Sequence, residues 1–123
     1  MPFWPARIET PQEIRTRDHA RRDLLVFSGY AVFNFKGTGG SWRHDDIYIR
    51  VGPRWNRLDD CAAVVSLASI SNKNTAVNAG WAVDNCRWTT YGGRLLLQAR
   101  LAVRDSDGYI HRVAYHATVV GDL

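Results

Sequence analysis

The stretch from Cys61 to Cys86, CAAVVSLASISNKNTAVNAGWAVDNC, decides how the chain is read. Two apolar segments, Ala62 to Ile70 and Ala76 to Asn85, flank the polar turn Ser71-Asn72-Lys73-Asn74-Thr75. That pattern predicts a β-hairpin, because short β-branched and apolar runs bounded by Ser, Asn and Thr are strand and turn signals. Folding it about Lys73 and Asn74 sets Cys61 beside Cys86, the only two cysteines, on one rung of one ladder. Cross-strand neighbours stand at a separation that a disulfide tolerates. The pair therefore either bonds, closing a loop of about 25 residues worth about 3 kcal/mol, or stays as two packed thiols in a reducing compartment.

Outward from that stretch, a second hairpin is expected between residues 94–104 and 109–121. Matching apolar faces opposes Val103 to His111, Leu101 to Val113, Ala99 to Tyr115, Leu97 to Ala117 and Leu95 to Val119 around a three-residue loop, Ser106-Asp107-Gly108. Towards the N-terminus, Leu25, Phe27, Ala31, Phe33 and Phe35 share one face of a long strand. Gly29 inside that run marks a bulge or a close backbone approach. Ile47 to Val51 is a short alternating strand that Gly52-Pro53 breaks. Strands at this spacing, with no helical period, predict an all-β domain, a single antiparallel β-sandwich of about six strands over residues 23–123, with a closed barrel as the alternative. Residues 1–22 carry Pro2, Pro5 and Pro11 and five arginines, and read as an extended N-terminal arm. Phe3, Trp4 and Ile8 are costly to leave in water, so the arm is expected to pack on its own sheet or on a neighbouring subunit.

Length and composition bound the rest. The 123 residues fit one domain with one core. Apolar residues make 46% and charged residues 23%, and no apolar run reaches the 18 or so residues that span a membrane. Residues 1–7 lack the pattern of a secretory leader, which leaves a cytoplasmic protein, one whose leader has been removed, or export by a non-classical route. The net charge is +4, and fourteen of the sixteen basic residues are arginine. Arginine suits bidentate capture of carboxylate or phosphate, but no Lys/Arg run of the nucleic-acid type occurs, so nucleic acid is not the expected partner.

The order of elements resembles that of the H-type lectins. The residues that carry the likeness are Phe27-Ser28-Gly29 in the first strand, Val64 to Ile70, Ala82-Val83-Asp84-Asn85 at the end of the next strand, and the last strand from Ile110 to Val120. The resemblance implies a six-stranded sandwich that assembles as a trimer and binds N-acetylgalactosamine-type sugars. The family's arginine and tryptophan of the sugar site have no counterpart, since those stretches read Ala76-Val77-Asn78-Ala79 and Leu101-Ala102-Val103-Arg104. Asp45-Asp46 falls where the family places an aspartate in a ligand loop.

Candidate chemistry centres on loops. Trp42, His44, Asp45 and Asp46 lie in one inferred loop, and Trp88 and Tyr91 in another. Large aromatics in loops either stack on sugar rings or anchor the loop against the sandwich. These six residues form the expected ligand-binding site, at one end of the sandwich. Asp105-Ser106-Asp107-Gly108 mimics a calcium loop, yet His116 stands where the bidentate glutamate belongs. His111 and His116, an odd number apart, point to opposite faces of a regular strand and share no metal. No nucleophile elbow or Gly-rich phosphate loop is present. The expected function is therefore a non-catalytic, cofactor-free, carbohydrate-binding sandwich whose partners are a glycan or other small ligand and further copies of the chain. The alternative is a structural subunit of an oligomer fastened by the N-terminal arm.

Overall fold

In the computed structural model, residues 3–72, 79–105 and 107–123 are described, and among them the chain is all strand and turn. The strands are β1 (Arg7–Arg17), β2 (Asp23–Lys36), β3 (Trp42–Arg54), β4 (Arg57–Asn72), β5 (Gly80–Tyr91), β6 (Arg94–Arg104) and β7 (Gly108–Asp122). All ladders between them are antiparallel. Two sheets face each other as a β-sandwich, one in the order β1-β2-β7-β4 and the other β3-β6-β5. No described helix is long and apolar enough to cross a membrane.

Apolar alternation explains which strands sit at the centre. In β6, Leu95, Leu97, Ala99, Leu101 and Val103 all point inward and are buried. In β7, Ile110, Val113, Tyr115, Ala117 and Val119 do the same from the opposite sheet. These two strands are the middle ladders of their sheets and supply the core, with Leu25, Phe27, Phe35, Ile47 and Ile49 around them.

Both expected hairpins are corrected by this arrangement. β6 and β7 belong to different sheets, so the pairs Leu97 with Ala117 and Leu101 with Val113 are not rungs of a ladder. Instead Leu97 pairs with Ile49 and Trp88, and Ala117 pairs with Phe27 and Ala63. The physical reason is that apolar matching finds residues that share a core, and two sheets about 10 Å apart share one as fully as two strands about 5 Å apart. The chain crosses between the sheets at Asp105 (φ 97°), where Gly108 N–H donates to the Asp105 carbonyl at 3.1 Å; Ser106 of the expected loop lies outside the described residues. Likewise β4 and β5 lie in opposite sheets. Most of their expected turn, residues 73–75, and the expected strand start at 76–78 lie outside the described residues, while Ser71 and Asn72 belong to β4.

The disulfide falls with the hairpin. Cys61 and Cys86 are both free thiols. Cys86 sits where β5 slips register between Asp84 and Arg87, and its thiol donates to the Ala63 carbonyl at 3.8 Å across the sandwich. Burial first, then the Asp60 carboxylate and the Cys86 sulfur, push the Cys61 thiol up to about 11.

Residues of the expected arm form part of the sheet. β1 is an edge strand paired with β2 from Arg7↔Val32 to Arg17↔Asp23. Arg112 reaches across to Glu9 at 2.6 Å, and that hydrogen bond, with a second from Arg7, holds the Glu9 carboxyl below its ordinary range. Ahead of β1 the chain crosses to the other sheet. Phe3 bridges to β3, with its N–H donating to the Asp46 carbonyl and the Tyr48 N–H donating to the Phe3 carbonyl, both at 2.9 Å. Phe3 packs edge-on against Phe35, and Trp4 against Tyr48. Ile8 packs against the core. At Gly29 the close approach is by Tyr115, whose hydroxyl would lie 2.5 Å from a Cβ.

Because Leu97 is fully buried between both sheets, Leu97→Ala is expected to cost about 3 kcal/mol by transfer plus cavity. Val64→Ala, on an exposed outer position, is expected to cost under about 0.5 kcal/mol; denaturant midpoints measure both. The Cys61 thiol is neutral in the folded state at pH values where it ionises in the unfolded chain. Its contribution is therefore full below the ordinary thiol pKa near 9 and is lost as the pH rises towards about 11. Cys61→Ala is expected to flatten the fall of stability over that window, read as the difference between two pH-stability curves.

Candidate functional site

Alternation in the three-stranded sheet leaves its non-core positions in rows across β3, β6 and β5. The first row is Trp42, Arg104 and Gly80; the second His44, Ala102 and Ala82; the third Asp46, Arg100 and Asp84; the fourth Tyr48, Gln98 and Arg87. Three of the six expected site residues, Trp42, His44 and Asp46, thus stand in a line on the outer face. They are in a strand, where residues 42–46 were expected to be a loop, because β3 begins at Trp42 and pairs with β6 without a break through Val51.

The other three residues are elsewhere. Asp45, one step out of phase, makes an ion pair with Arg43 at 3.4 Å. Trp88 packs against the core. Tyr91 pairs with Arg94, whereas Trp42 pairs with Arg104, so ten residues of β6, about 33 Å, separate their rows. The six residues do not share one end of the sandwich. Tyr91 belongs to a second cluster, with Trp4 at 5.9 Å between ring centroids and the Arg50 guanidinium over both rings.

Small residues make the first cluster a platform. The Trp42 indole lies across β6 and onto Gly80, where a Cβ would stand 2.5 Å from its far edge. Only glycine leaves room there for the edge of the ring. Ala82 and Ala102 keep the next row low. Trp42 stacks on His44 with centroids 6.4 Å apart and planes 28° from parallel, yet remains 43% exposed. An exposed indole of that size is an offered surface.

Polar groups border it. Arg100 donates to both carboxylate oxygens of Asp84, Nε to Oδ1 at 3.3 Å and Nη2 to Oδ2 at 3.4 Å. Asp46, across β6 from Asp84, has no ion-pair or side-chain hydrogen-bond partner among the described residues. The arrangement therefore offers an exposed indole, two carboxylates as acceptors and one guanidinium as donor. Among the described residues no three His, Cys, Asp or Glu side chains converge as a metal site.

Asp84 and the small residues beside Trp42 were missed by sequence reading, while Arg100 was read only as part of a basic outer face. The signal was present: each falls on the non-core parity of its strand, but that parity means little until the sheet order places β6 between β3 and β5. His111 also departs from expectation. Ile110 and Val113 are both fully buried though three residues apart, so alternation slips between them. His111 is held by Ser71 at 2.7 Å and by Asn34 at 3.2 Å.

Comparison with protein-family models, with curated proteins and with solved structures returns no match.

Substitution Gly80→Val puts methyl groups where the Trp42 ring lies. The indole is expected to lift off the sheet, seen as a shift of its N–H resonance towards that of free indole, with little loss of stability because the row is at the surface.

Proposed function

We propose that the chain is a non-catalytic carbohydrate-binding sandwich whose ligand lies on the outer face of the three-stranded sheet, over Trp42. The observation that carries this reading is the exposed indole whose edge reaches Gly80, with the unpaired Asp46 carboxylate and the Asp84–Arg100 pair two rows away. A sugar ring has an apolar face of axial hydrogens and an edge of hydroxyls. The first suits stacking on indole, and the second suits acceptors and a donor spaced along a strand at about 6.7 Å per outward residue. The likeness to H-type lectins points to the same ligand class, with N-acetylgalactosamine-type sugars as the first to try, although the residues used differ from that family's.

A second reading, assembly as a homo-oligomer such as the trimer of those lectins, rests on the other outer face. Ile14, Val64 and Tyr30 there are 63%, 51% and 42% exposed. For fastening by the N-terminal arm, Ile8 is packed within its own chain, while Phe3 and Trp4 touch Phe35 and Tyr48 yet stay 38% and 46% exposed.

A glycan array probed with labelled protein tests the first reading. At least one glycan is expected to be retained, and Trp42→Ala is expected to weaken it by tenfold or more, about 1.4 kcal/mol of lost stacking. Ile14→Ala, on the far sheet, is expected to leave it unchanged. Retention of no glycan, or equal retention by Trp42→Ala, would contradict the proposal.

A further inference from the structure

The two sheets fail to close along one seam. On one side β1 slips register between Glu9 and Gln12, where Thr10 has φ 46° and Pro11 follows. Facing it, β3 slips between Val51 and Arg54, where Gly52 has φ 78° and Pro53 follows. Each bulge removes ladder contacts and turns its edge outward, and paired bulges beside a cavity are a built feature of many sites. Gly52 is required there, because a Cβ would stand 2.4 Å from the Phe27 ring. Between the two edges a cleft of about 230 Å³ opens onto the core, with Ile8, Phe27, Val51 and Tyr115 among its walls.

Its phenol and its two cations have no ionic partner. Tyr115 is 2% exposed as a whole residue and burial pushes its hydroxyl above the ordinary phenol range, yet the hydroxyl oxygen itself keeps access to the cleft and makes no hydrogen bond within the described residues. That hydroxyl is therefore free to donate to an acceptor placed in the cleft. Arg94, on the same wall, donates Nε to the Gly52 carbonyl at 2.7 Å and pairs with no carboxylate. Arg50 at the mouth stands over Trp4 and Tyr91 and likewise pairs with none. The lining carboxylate, Glu13, is neutralised by Arg15. The cleft therefore joins an apolar floor to a phenol donor and two cations without counter-charge.

We infer that this cleft is a binding site for a small apolar monocarboxylate, its body against Phe27 and its carboxylate between Tyr115 and Arg94. A cavity of about 150 Å³ suffices for a benzene ring. The remaining volume admits a short acid-bearing arm, which makes 3-phenylpropionate a fitting probe. This site is separate from the Trp42 platform, and neither proposal depends on the other.

Titration of the 15N-labelled full chain with 3-phenylpropionate tests it, with 3-phenylpropanamide as the uncharged isostere. The acid is expected to give saturable shifts centred on the amides of Gly29, Gly52 and Tyr115, and to bind about tenfold more tightly than the amide, the worth of one charge-assisted hydrogen bond. Tyr115→Phe keeps the ring and is expected to weaken the acid severalfold. Arg94→Gln is expected to bring acid and amide to equal affinity. Equal binding of acid and amide by the unaltered chain would overturn the inference, as would no saturation or shifts centred on Trp42. That comparison decides the matter even where a variant fails to fold.

Discussion

Everything in this molecule depends on the face-to-face contact of β6 with β7. Each strand directs five apolar side chains into one layer, and each is an interior strand of its own sheet. Removing such surface from water is the dominant favourable term in folding. The contact also fixes topology. A middle strand needs a neighbour on either side, so β6 recruits β3 and β5, while β7 recruits β2 and β4. The crossing at Asp105 is short, and it is tied to the β2–β3 connection by Gly37 N–H to the Gly108 carbonyl and Asp105 N–H to the Gly39 carbonyl.

The outer faces inherit their character from this partition. On the three-stranded sheet, aromatic, acidic and arginine side chains stand in rows around small residues. On the four-stranded sheet, rows such as Ile14, Val26, Thr118, Ala62 and Gln12, Ser28, His116, Val64 are weakly polar. Arginines divide in the same way. Arg7, Arg15, Arg22, Arg43, Arg57, Arg100 and Arg112 have carboxylate partners. Arg50, Arg54, Arg87, Arg94 and Arg104, all in the three-stranded sheet, have none among the described residues. Arg17 and Arg21 also lack one, but the larger share of arginines without a carboxylate partner lies in the sheet that carries the aromatic rings, which suits a hydroxyl-rich or anionic ligand.

Much of the fold could be read from the sequence, because periodicity reports which face of a strand is buried. Most inward residues of β2, β6 and β7 were legible, whereas at Gly29 it is the Tyr115 side chain and not backbone that comes close. What periodicity does not report is the direction in which an apolar face finds its match. Leu97 and Ala117 satisfy the same pattern as rung partners or as core partners, and only the competition among all seven strands decides between them. The site suffered from the same gap. Trp42, His44 and Asp46 were legible as chemistry, but Trp88 and Tyr91 were grouped with them only because a loop reading left their parity undefined. Asp84, and its pairing with Arg100, came to notice only with the strand order. The edge strand β1 was hidden by Pro11, which reads as a breaker and is in fact tolerated at a bulge on a sheet edge.

The most direct test of this partition is the pattern of cross-strand backbone nuclear Overhauser contacts in the labelled protein. Contacts from Ala102 to both His44 and Ala82, and from Ala117 to both Phe27 and Ala63, are predicted, with none between the backbones of Leu97 and Ala117. A backbone contact between Leu97 and Ala117, the mark of β6 and β7 as neighbours in one sheet, would contradict the sandwich described, and with it the platform under Trp42.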